Sequence, residues 1–218
     1  MAKKLKRDEV IEGKNAYMYA KLTRSDMEAY KQAARHISEN ISENDKVLEV
    51  APGPGYTILE LAKLGKYSIT GMDLSFAFVE IGEQNAREAG AEIKFCQGNV
   101  SYMPFENEQF DFIFNRAAFK NFLDPVGALN EMYRVLKPDG KVLIEDLNPK
   151  AGFRTISDYV DNMHLNMFNS VVTKGIFLFG LRRTAHSKEE FEAFIVQTKF
   201  KDHKILVNDL GFEVWLYK

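Results

Sequence analysis

The fold of this chain is decided by the stretch Lys46-Val47-Leu48-Glu49-Val50-Ala51-Pro52-Gly53-Pro54-Gly55-Tyr56. The apolar run from Val47 to Val50 is typical of a strand buried on both faces of a parallel sheet. Gly53 and Gly55 lack a Cβ, so the backbone there can turn sharply and approach a ligand closely. Apolar residues at helical spacing follow between Ile58 and Leu64. A strand, a glycine turn and a helix in this order predict the nucleotide-binding corner of a doubly wound α/β sheet.

The spacing of the glycines excludes two common nucleotide sites. A dinucleotide fingerprint would require a third glycine at Ile58, and a P-loop would require a Gly-Lys-Ser/Thr sequence that is absent here. Glu49, just before the turn, is poorly suited to a loop that holds phosphates. It suits a ligand that carries a positive charge and no phosphate.

The same residues resemble motif I of the class I S-adenosylmethionine-dependent methyltransferases, whose usual form is D/E-x-G-x-G-x-G. This chain has Glu49-x-Ala51-x-Gly53-x-Gly55, with alanine in place of the first glycine. The resemblance is to the small-molecule subgroup of the ubiquinone and menaquinone biosynthesis type. It implies S-adenosylmethionine as cofactor and S-adenosylhomocysteine as product. It also implies cofactor contacts from Glu49, Ala51, Pro52, Gly53, Gly55 and Tyr56.

Two further strands add expected cofactor contacts. Asp73 ends a predicted strand over 67–74, about 20 residues past the glycine turn, where an acidic side chain reaches ribose hydroxyls. Ser75 is the better cap for the predicted helix 76–89, which leaves Asp73 and its neighbour Leu74 for the ligand. After the predicted strand 93–96, Asn99 stands where the family has an aspartate on the adenine amino group. Its side-chain carbonyl can accept the same hydrogen bond, with Val100 beside it.

The resemblance continues along the chain from about residue 45 to 148. Residues 103–111 resemble the family's loop into its fourth strand, and the run EMYRVLKPDGKVLIED at 131–146 is one of its characteristic segments. Asn115 and Arg116 follow the predicted strand 110–114, at the edge where such sheets bind ligands. The predicted fold is a Rossmann-like, doubly wound α/β sheet of seven mostly parallel strands, with a C-terminal antiparallel hairpin and helices on both faces.

The whole chain is predicted to be one methyltransferase domain over 1–218. It would comprise an N-terminal helical cap (1–41), a cofactor-binding core (45–148), a substrate-cover insertion (149–186) and a closing helix and hairpin (187–218). The cap is expected to contain helices 15–24 and 26–40, the second opened by a Ser25–Glu28 capping box. In the cover, an apolar stripe from Ile156 to Met167 predicts a helix. Ser187 and Glu190 form a second capping box.

Composition limits the classes of partner. The net charge is −2, and the basic cluster at Lys3–Arg7 is short and terminal, so the charge pattern disfavours nucleic-acid binding. The single cysteine, Cys96, excludes an internal disulfide and a multi-cysteine zinc site, and no metal site is predicted. No apolar leader or membrane-spanning run is evident, which makes a cytoplasmic location the expectation. The expected partner is a small-molecule acceptor, and the expected state is a monomer or homodimer.

Catalytic residues are harder to select. Many relatives carry a histidine after the fourth strand, but residues 118–122 contain none. His164 and Tyr17 are therefore the candidate catalytic residues, although either side chain can equally serve packing. The other histidines, at positions 36, 186 and 203, receive no role. The candidate acceptor contacts are Tyr19, Phe119, Lys120, Tyr159 and Met163.

Two alternative functions remain open. A protein or nucleic-acid methyltransferase is disfavoured by charge, and the Asn/Asp-Pro-Pro-aromatic tetrad of nucleic-acid enzymes is replaced by Asn115-Arg116-Ala117-Ala118. A non-catalytic protein that binds S-adenosylmethionine is the other alternative. For an enzyme, the aromatic and methionine-rich segments 1–40 and 149–186 are expected to form a mobile lid that excludes water.

Overall fold

The structure, a computed structural model, describes residues 10–163 and 167–218. Its centre is a seven-stranded sheet in the order β3-β2-β1-β4-β5-β7-β6. The strands are β1 (Lys46–Val50), β2 (Ser68–Asp73), β3 (Ile93–Gln97), β4 (Phe110–Arg116), β5 (Leu136–Leu147), β6 (Asp202–Val207) and β7 (Gly211–Tyr217). Strands β1 to β5 are parallel, whereas β7 runs antiparallel to both β5 and β6. The predicted fold class is confirmed.

Helices precede the sheet, connect its strands and follow β5. They are α1 (Gly13–Thr23), α2 (Met27–Ser38), α3 (Tyr56–Leu61), α4 (Phe76–Ala89), α5 (Pro125–Val135), α6 (Phe153–Asp161), α7 (Met167–Gly175), α8 (Arg182–Thr184) and α9 (Lys188–Val196). A π-helical segment, Ile176–Leu181, joins α7 to α8, and short 3₁₀ turns lie at Arg24–Asp26 and Phe119–Asn121. Of the helices in the described ranges, none has the length and apolarity needed to cross a membrane.

Hydrophobic packing covers both faces of the sheet. In β1, Val47 packs against α2 and α3 on one face, while Leu48 and Val50 pack against α5 and α9 on the other. This alternation follows from the two-residue period of a strand. Because both faces are covered, the carboxyl ends of the parallel strands are the edge left for a ligand. The strand order reverses between β1 and β4, which opens a crevice there.

Helix starts were predicted well where a side chain caps the helix. Ser75 caps α4 by accepting from the Phe78 amide, and Ser187 forms the predicted capping box with Glu190. The predicted box at Ser25 is wrong, because the Ser25 hydroxyl donates to the Leu22 carbonyl at 2.8 Å instead. The chain first makes the 3₁₀ turn, and α2 begins only at Met27.

Two other local expectations need correction. Lys137-Pro138-Asp139-Gly140 has the composition of a turn, yet these residues form an irregular part of β5, where Phe110 pairs with Leu136 and Phe112 with Lys141. Asp139 takes a left-handed φ of +64° there, which lets β5 accommodate residues 137–140 without losing its pairing with β4. The apolar stripe of the cover ends early, since Ile156 and Val160 are buried in α6 but Met167 is 84% exposed.

Ala51 carries backbone strain. Ala51 has a φ of +56°, in the left-handed region that favours glycine. The strain of about 1–2 kcal/mol for an L-residue there exceeds the roughly 0.5–1 kcal/mol of backbone entropy that a glycine would lose. Alanine at this position of motif I is therefore less stable than glycine would be.

We expect Ala51→Gly to raise the free energy of unfolding, measured by urea denaturation, by about 0.5–1 kcal/mol. The matched control is Ala193→Gly in the exposed middle of α9, which should lower it by about 0.5–1 kcal/mol. A loss of stability in Ala51→Gly would contradict the strain argument.

Candidate functional site

The loop after β1 is fastened to the ends of β2 and β4. The Gly53 amide donates to the Asp73 carboxylate at 3.0 Å, and the Ala51 amide donates to the Met72 carbonyl at 2.8 Å. On the other side, the Asn115 amide nitrogen donates to the Val50 carbonyl at 2.7 Å. These bonds bring together predicted residues from three strands at one edge of the sheet.

The Asp73 carboxylate has more backbone partners than predicted. One oxygen accepts from Gly53 and the other from the Ser75 amide, at 2.9 Å. The expectation that Ser75 leaves Asp73 free is therefore wrong, although Ser75 does cap α4. Each carboxylate oxygen still has a second lone pair for a hydroxyl donor. Burial raises the pKa of Asp73, and the two amide hydrogen bonds oppose that rise.

Two buried acceptor oxygens lie beneath the glycine loop without a hydrogen-bond partner. Glu49 is 3% exposed and Asn115 is 0% exposed, and the lone atoms are Glu49 Oε2 and Asn115 Oδ1. Such groups cost free energy unless a ligand or water satisfies them. Burial raises the pKa of Glu49 to about 8, and the nearby Arg116 guanidinium limits the rise. A ligand with a cationic donor fits both oxygens, and a phosphate does not.

The remaining predicted cofactor contacts form the rim of this loop. The Pro52 carbonyl accepts from the Gly55 amide at 3.0 Å, and Gly55 has a φ of +77°. A Cβ at Gly55 would lie 2.9 Å from the Phe95 ring, so only glycine fits there. Asn99 is the residue expected to contact adenine. Its side-chain oxygen already accepts a hydrogen bond from the Ser101 amide at 2.8 Å. Leu74 and Val100 are both half-buried.

An N-terminal clamp closes over this edge; it consists of Ile11, Glu12 and α1. The Glu12 carboxylate accepts from the first two amides of α4, Phe76 at 2.9 Å and Ala77 at 3.2 Å. The Ser75 hydroxyl donates to the Ile11 carbonyl at 2.8 Å. No pattern in the sequence pointed to Glu12, since the contact joins residues about 64 apart along the chain.

Tyr56 holds the clamp rather than offering its side chain to a ligand. Its hydroxyl donates to the Ala20 carbonyl at 2.9 Å, and its buried ring lies 5.3 Å from that of Tyr30. Ala16 and Ala20 pack α1 against Phe78 of α4. The prediction of a Tyr56 cofactor contact is therefore not supported for its side chain.

Three tyrosines from the cap and cover surround Arg116. The Arg116 guanidinium lies 5.5 Å from the centre of the Tyr30 ring. Burial and the Asp73 charge raise the pKa of Tyr19, whereas the Arg116 charge lowers it, so Tyr19 lies near both groups. The Tyr159 hydroxyl donates to Asp26 at 3.2 Å, and burial raises the pKa of Tyr159 to about 12. Tyr30 and Asp26 were not predicted, because the sequence alone shows no pairing between them and the cover.

Several predicted catalytic and acceptor residues lie elsewhere. Tyr17 is 51% exposed and is not among the side chains that fasten α1. Phe119 is fully buried in an aromatic cluster with Phe122 and Phe191. Lys120 forms a buried ion pair with Asp146 at 3.0 Å, and its ammonium also donates to the Ala117 carbonyl.

These positions argue against three of the predicted roles. The structure offers no acceptor surface at Phe119, no free ammonium at Lys120 and no inward placement of Tyr17. Met163 is half-buried within the cover, two residues after α6 ends. His164 lies outside the described residues.

Known proteins share the sequence pattern around this site. A family model described as a methyltransferase domain matches residues 48–144. The chain is 34% identical over 120 residues to a demethylmenaquinone methyltransferase of Bacillus subtilis, covering 53% of this chain and 52% of that protein. It is 30% identical over 189 residues to the ubiquinone/menaquinone biosynthesis C-methyltransferase UbiE of Rickettsia prowazekii, covering 80% and 71%. The chain spans about half the length of several of the curated relatives it matches.

A solved structure supports the fold over nearly the whole chain. It is a Methanococcus maripaludis protein assigned to the S-adenosylmethionine-dependent methyltransferases, with a TM-score of 0.80 and 21% identity. The alignment covers 98% of this chain and 96% of that one, so the cap and cover segments are included. The match to the Rickettsia protein extends over most of both chains, and the methyltransferase model matches the core. The chain therefore belongs to the class I S-adenosylmethionine-dependent methyltransferase family.

Proposed function

We propose that this chain transfers a methyl group from S-adenosylmethionine to a small or medium-sized organic acceptor by in-line displacement. The observation that carries the proposal is the pair of unpartnered oxygens, Glu49 Oε2 and Asn115 Oδ1, buried beside Asp73. All three side chains present acceptors to the ligand edge. Such a set suits a ligand that has an ammonium group and ribose hydroxyls and lacks phosphates.

Each part of the cofactor has a proposed partner. Asp73 accepts hydrogen bonds from the ribose hydroxyls, and the Asn99 carbonyl accepts from the adenine amino group. Glu49 and Asn115 take the amino-acid end, while the loop from Ala51 to Gly55 lets the backbone approach closely. When bound, S-adenosylmethionine supplies a methyl group already activated by its sulfonium.

The acceptor is proposed to bind beneath Tyr19, Tyr30 and Tyr159, beside Arg116. Their rings offer planar apolar surface, which suits an aromatic or similarly flat molecule. The main task of these residues is to hold the nucleophile at roughly 3–3.5 Å from the methyl carbon and to exclude water. The relatives named for menaquinone and ubiquinone biosynthesis favour a small molecule over a protein or nucleic acid. Met163 remains a proposed acceptor contact and His164 a proposed catalytic residue.

The wider organisation follows from the same proposal. We take residues 1–218 as one methyltransferase domain, in which the cap and the cover close over the core. The domain would act in the cytoplasm as a monomer or homodimer, on a diffusible acceptor.

The proposal is tested first by titration calorimetry. S-adenosylmethionine and S-adenosylhomocysteine should bind, whereas NAD and ATP should not, because the phosphate-binding features are absent. Methyl transfer from labelled cofactor to a panel of phenols and quinols then separates an enzyme from a protein that only binds. Tight binding of NAD without S-adenosylhomocysteine binding would overturn the proposal.

Asp73→Asn should weaken S-adenosylhomocysteine binding by about 10- to 100-fold, because a charge-assisted hydrogen bond to the ribose is lost. It should also lower stability by about 1 kcal/mol, since one backbone amide loses its acceptor. Asp124→Asn is the matched control, because it makes the same chemical change at the N-cap of α5, where asparagine caps equally well. Equal affinities of the two variants would contradict the ribose role.

The affinity for S-adenosylhomocysteine should depend on pH through Glu49. Its pKa of about 8 means that the side chain holds a proton at neutral pH, and an ammonium ligand displaces that proton. Affinity should therefore rise by up to about tenfold per pH unit below 8 and level off above it. The dependence is measured by calorimetry and should be much weaker in Glu49→Gln. If affinity depended on pH in the same way in the wild-type protein and in Glu49→Gln, the proposed release of a proton from Glu49 would be contradicted.

The raised pKa of Glu49 also predicts how the ligand-free protein responds to pH. A folded-state pKa above the unfolded value stabilises the protein most at low pH, and this contribution is lost as pH rises towards 8. Glu49→Gln should therefore raise the melting temperature at pH 8 and change it little at pH 5. A larger gain at pH 5 would show that the pKa is not raised.

The cap and cover should exchange amide hydrogens more slowly, and together, when S-adenosylhomocysteine binds. The Asp26–Tyr159 hydrogen bond joins the two segments, so Tyr159→Phe should weaken their joint protection. Tyr17→Phe is the control, because that exposed ring is not among the side chains that fasten α1. Full protection of both segments without ligand would contradict a mobile lid.

A further inference from the structure

A row of charged side chains crosses three strands on the face of the sheet that α2 covers. Arg116 of β4 is paired in register with Glu145 of β5, and Glu145 is paired with Glu213 of β7. His36 of α2 lies over this row, with its Nε2 atom 3.5 Å from the Glu213 carboxylate. We name His36, Glu145 and Glu213 the three-ligand cluster.

The negative charge of the cluster is only partly compensated. Two carboxylates directly opposite each other on neighbouring antiparallel strands repel. Arg116 Nε lies 3.3 Å from one oxygen of Glu145, which accounts for one of the two charges. Glu213 receives a hydrogen bond from the neutral Trp215 indole at 3.2 Å. With His36 neutral, the row carries one more negative charge than positive charge.

The His36 ring nitrogen, on a side chain that is 36% exposed, is consistent with a ligand at this cluster. Among the described residues, His36 Nε2 is one of the few buried side-chain atoms with no hydrogen-bond partner, because its contact with Glu213 lacks hydrogen-bond geometry. Glu49 and Asn115 show the same signature in the proposed cofactor site. An imidazole nitrogen within 4.8 Å of a carboxylate oxygen from each of Glu145 and Glu213 is a metal-ligand arrangement.

We propose that the three-ligand cluster binds a divalent transition-metal cation, Zn²⁺ in the first place. One ligand atom from each residue lies within 4.8 Å of the others. Metal–ligand bonds of about 2.0–2.2 Å need the side chains to draw in by roughly 1 Å, which rotamer adjustment allows. The mixed imidazole and carboxylate set favours Zn²⁺ over Mg²⁺ or Ca²⁺, which prefer oxygen ligands alone. The second Glu145 oxygen keeps the contact with Arg116.

This site lies outside the proposed cofactor contacts and was not predicted from sequence. Its residues come from α2, β5 and β7, so no ligand spacing is visible along the chain. The expectation of no metal site was based on the single cysteine. A low cysteine count excludes multi-cysteine sites but not sites made of histidine and carboxylate ligands.

The proposal is tested on the untagged, full chain by titration calorimetry with Zn²⁺. His36→Gln and Glu213→Gln should each weaken binding by at least tenfold, as expected when a ligand is removed. The control is His203→Gln, which alters another histidine–carboxylate pair, with Glu192 at 2.7 Å, that lies outside the cluster. It should leave the affinity unchanged.

Fluorescence provides a second, local readout. Trp215 is the only tryptophan of the chain, bonds to Glu213 and lies 5.8 Å from the His36 ring. Paramagnetic Co²⁺ should quench its emission saturably, and excess Zn²⁺ should restore it. Quenching that survives in His36→Gln, or a wild-type protein that shows no saturable Zn²⁺ binding, overturns the proposal. His36→Gln, on a partly exposed side chain, keeps the test valid if Glu213→Gln does not fold.

Discussion

The hydrogen bond from the Gly53 amide to the Asp73 carboxylate is the contact on which the ligand edge depends. It fixes the loop after β1 to the end of β2. The same carboxylate also holds the Ser75 amide, and so the start of α4. One buried side chain therefore sets the relation between the glycine loop, the second strand and the helix that follows it. The left-handed backbone at Ala51, Gly53 and Gly55 is the cost of bringing the loop to that carboxylate.

The core of the fold follows from local patterns in the sequence. Apolar runs identified the parallel strands because both faces of such strands are buried. Capping side chains marked the starts of α4 and α9, where Ser75 and Ser187 bond to backbone amides as expected. Motif I pointed to the loop after β1 as the cofactor edge, which stays a prediction, because the spacing of its glycine and acidic residues matches the family's pattern.

The proposed acceptor side was much harder to predict, for a physical reason. Its contacts join side chains that are remote in sequence, such as Asp26 with Tyr159 and Tyr56 with the Ala20 carbonyl. Contacts between residues so far apart leave no helical or strand periodicity in the sequence. Lys120 illustrates the opposite error: a polar residue near the ligand edge looked functional, yet Asp146 neutralises it inside the core. Burial and pairing, rather than residue type, separate the two cases.

The N-terminal clamp has a kinetic consequence. Its bonds to Ser75, Phe76 and Ala77 lie immediately beside Asp73, so they close the ribose end of the proposed site. A bound nucleoside could leave only after Glu12 releases the first amides of α4. Exchange of spent cofactor for fresh cofactor would then be governed by the opening rate of that segment, and an ordered sequence follows in which the nucleoside enters first and leaves last.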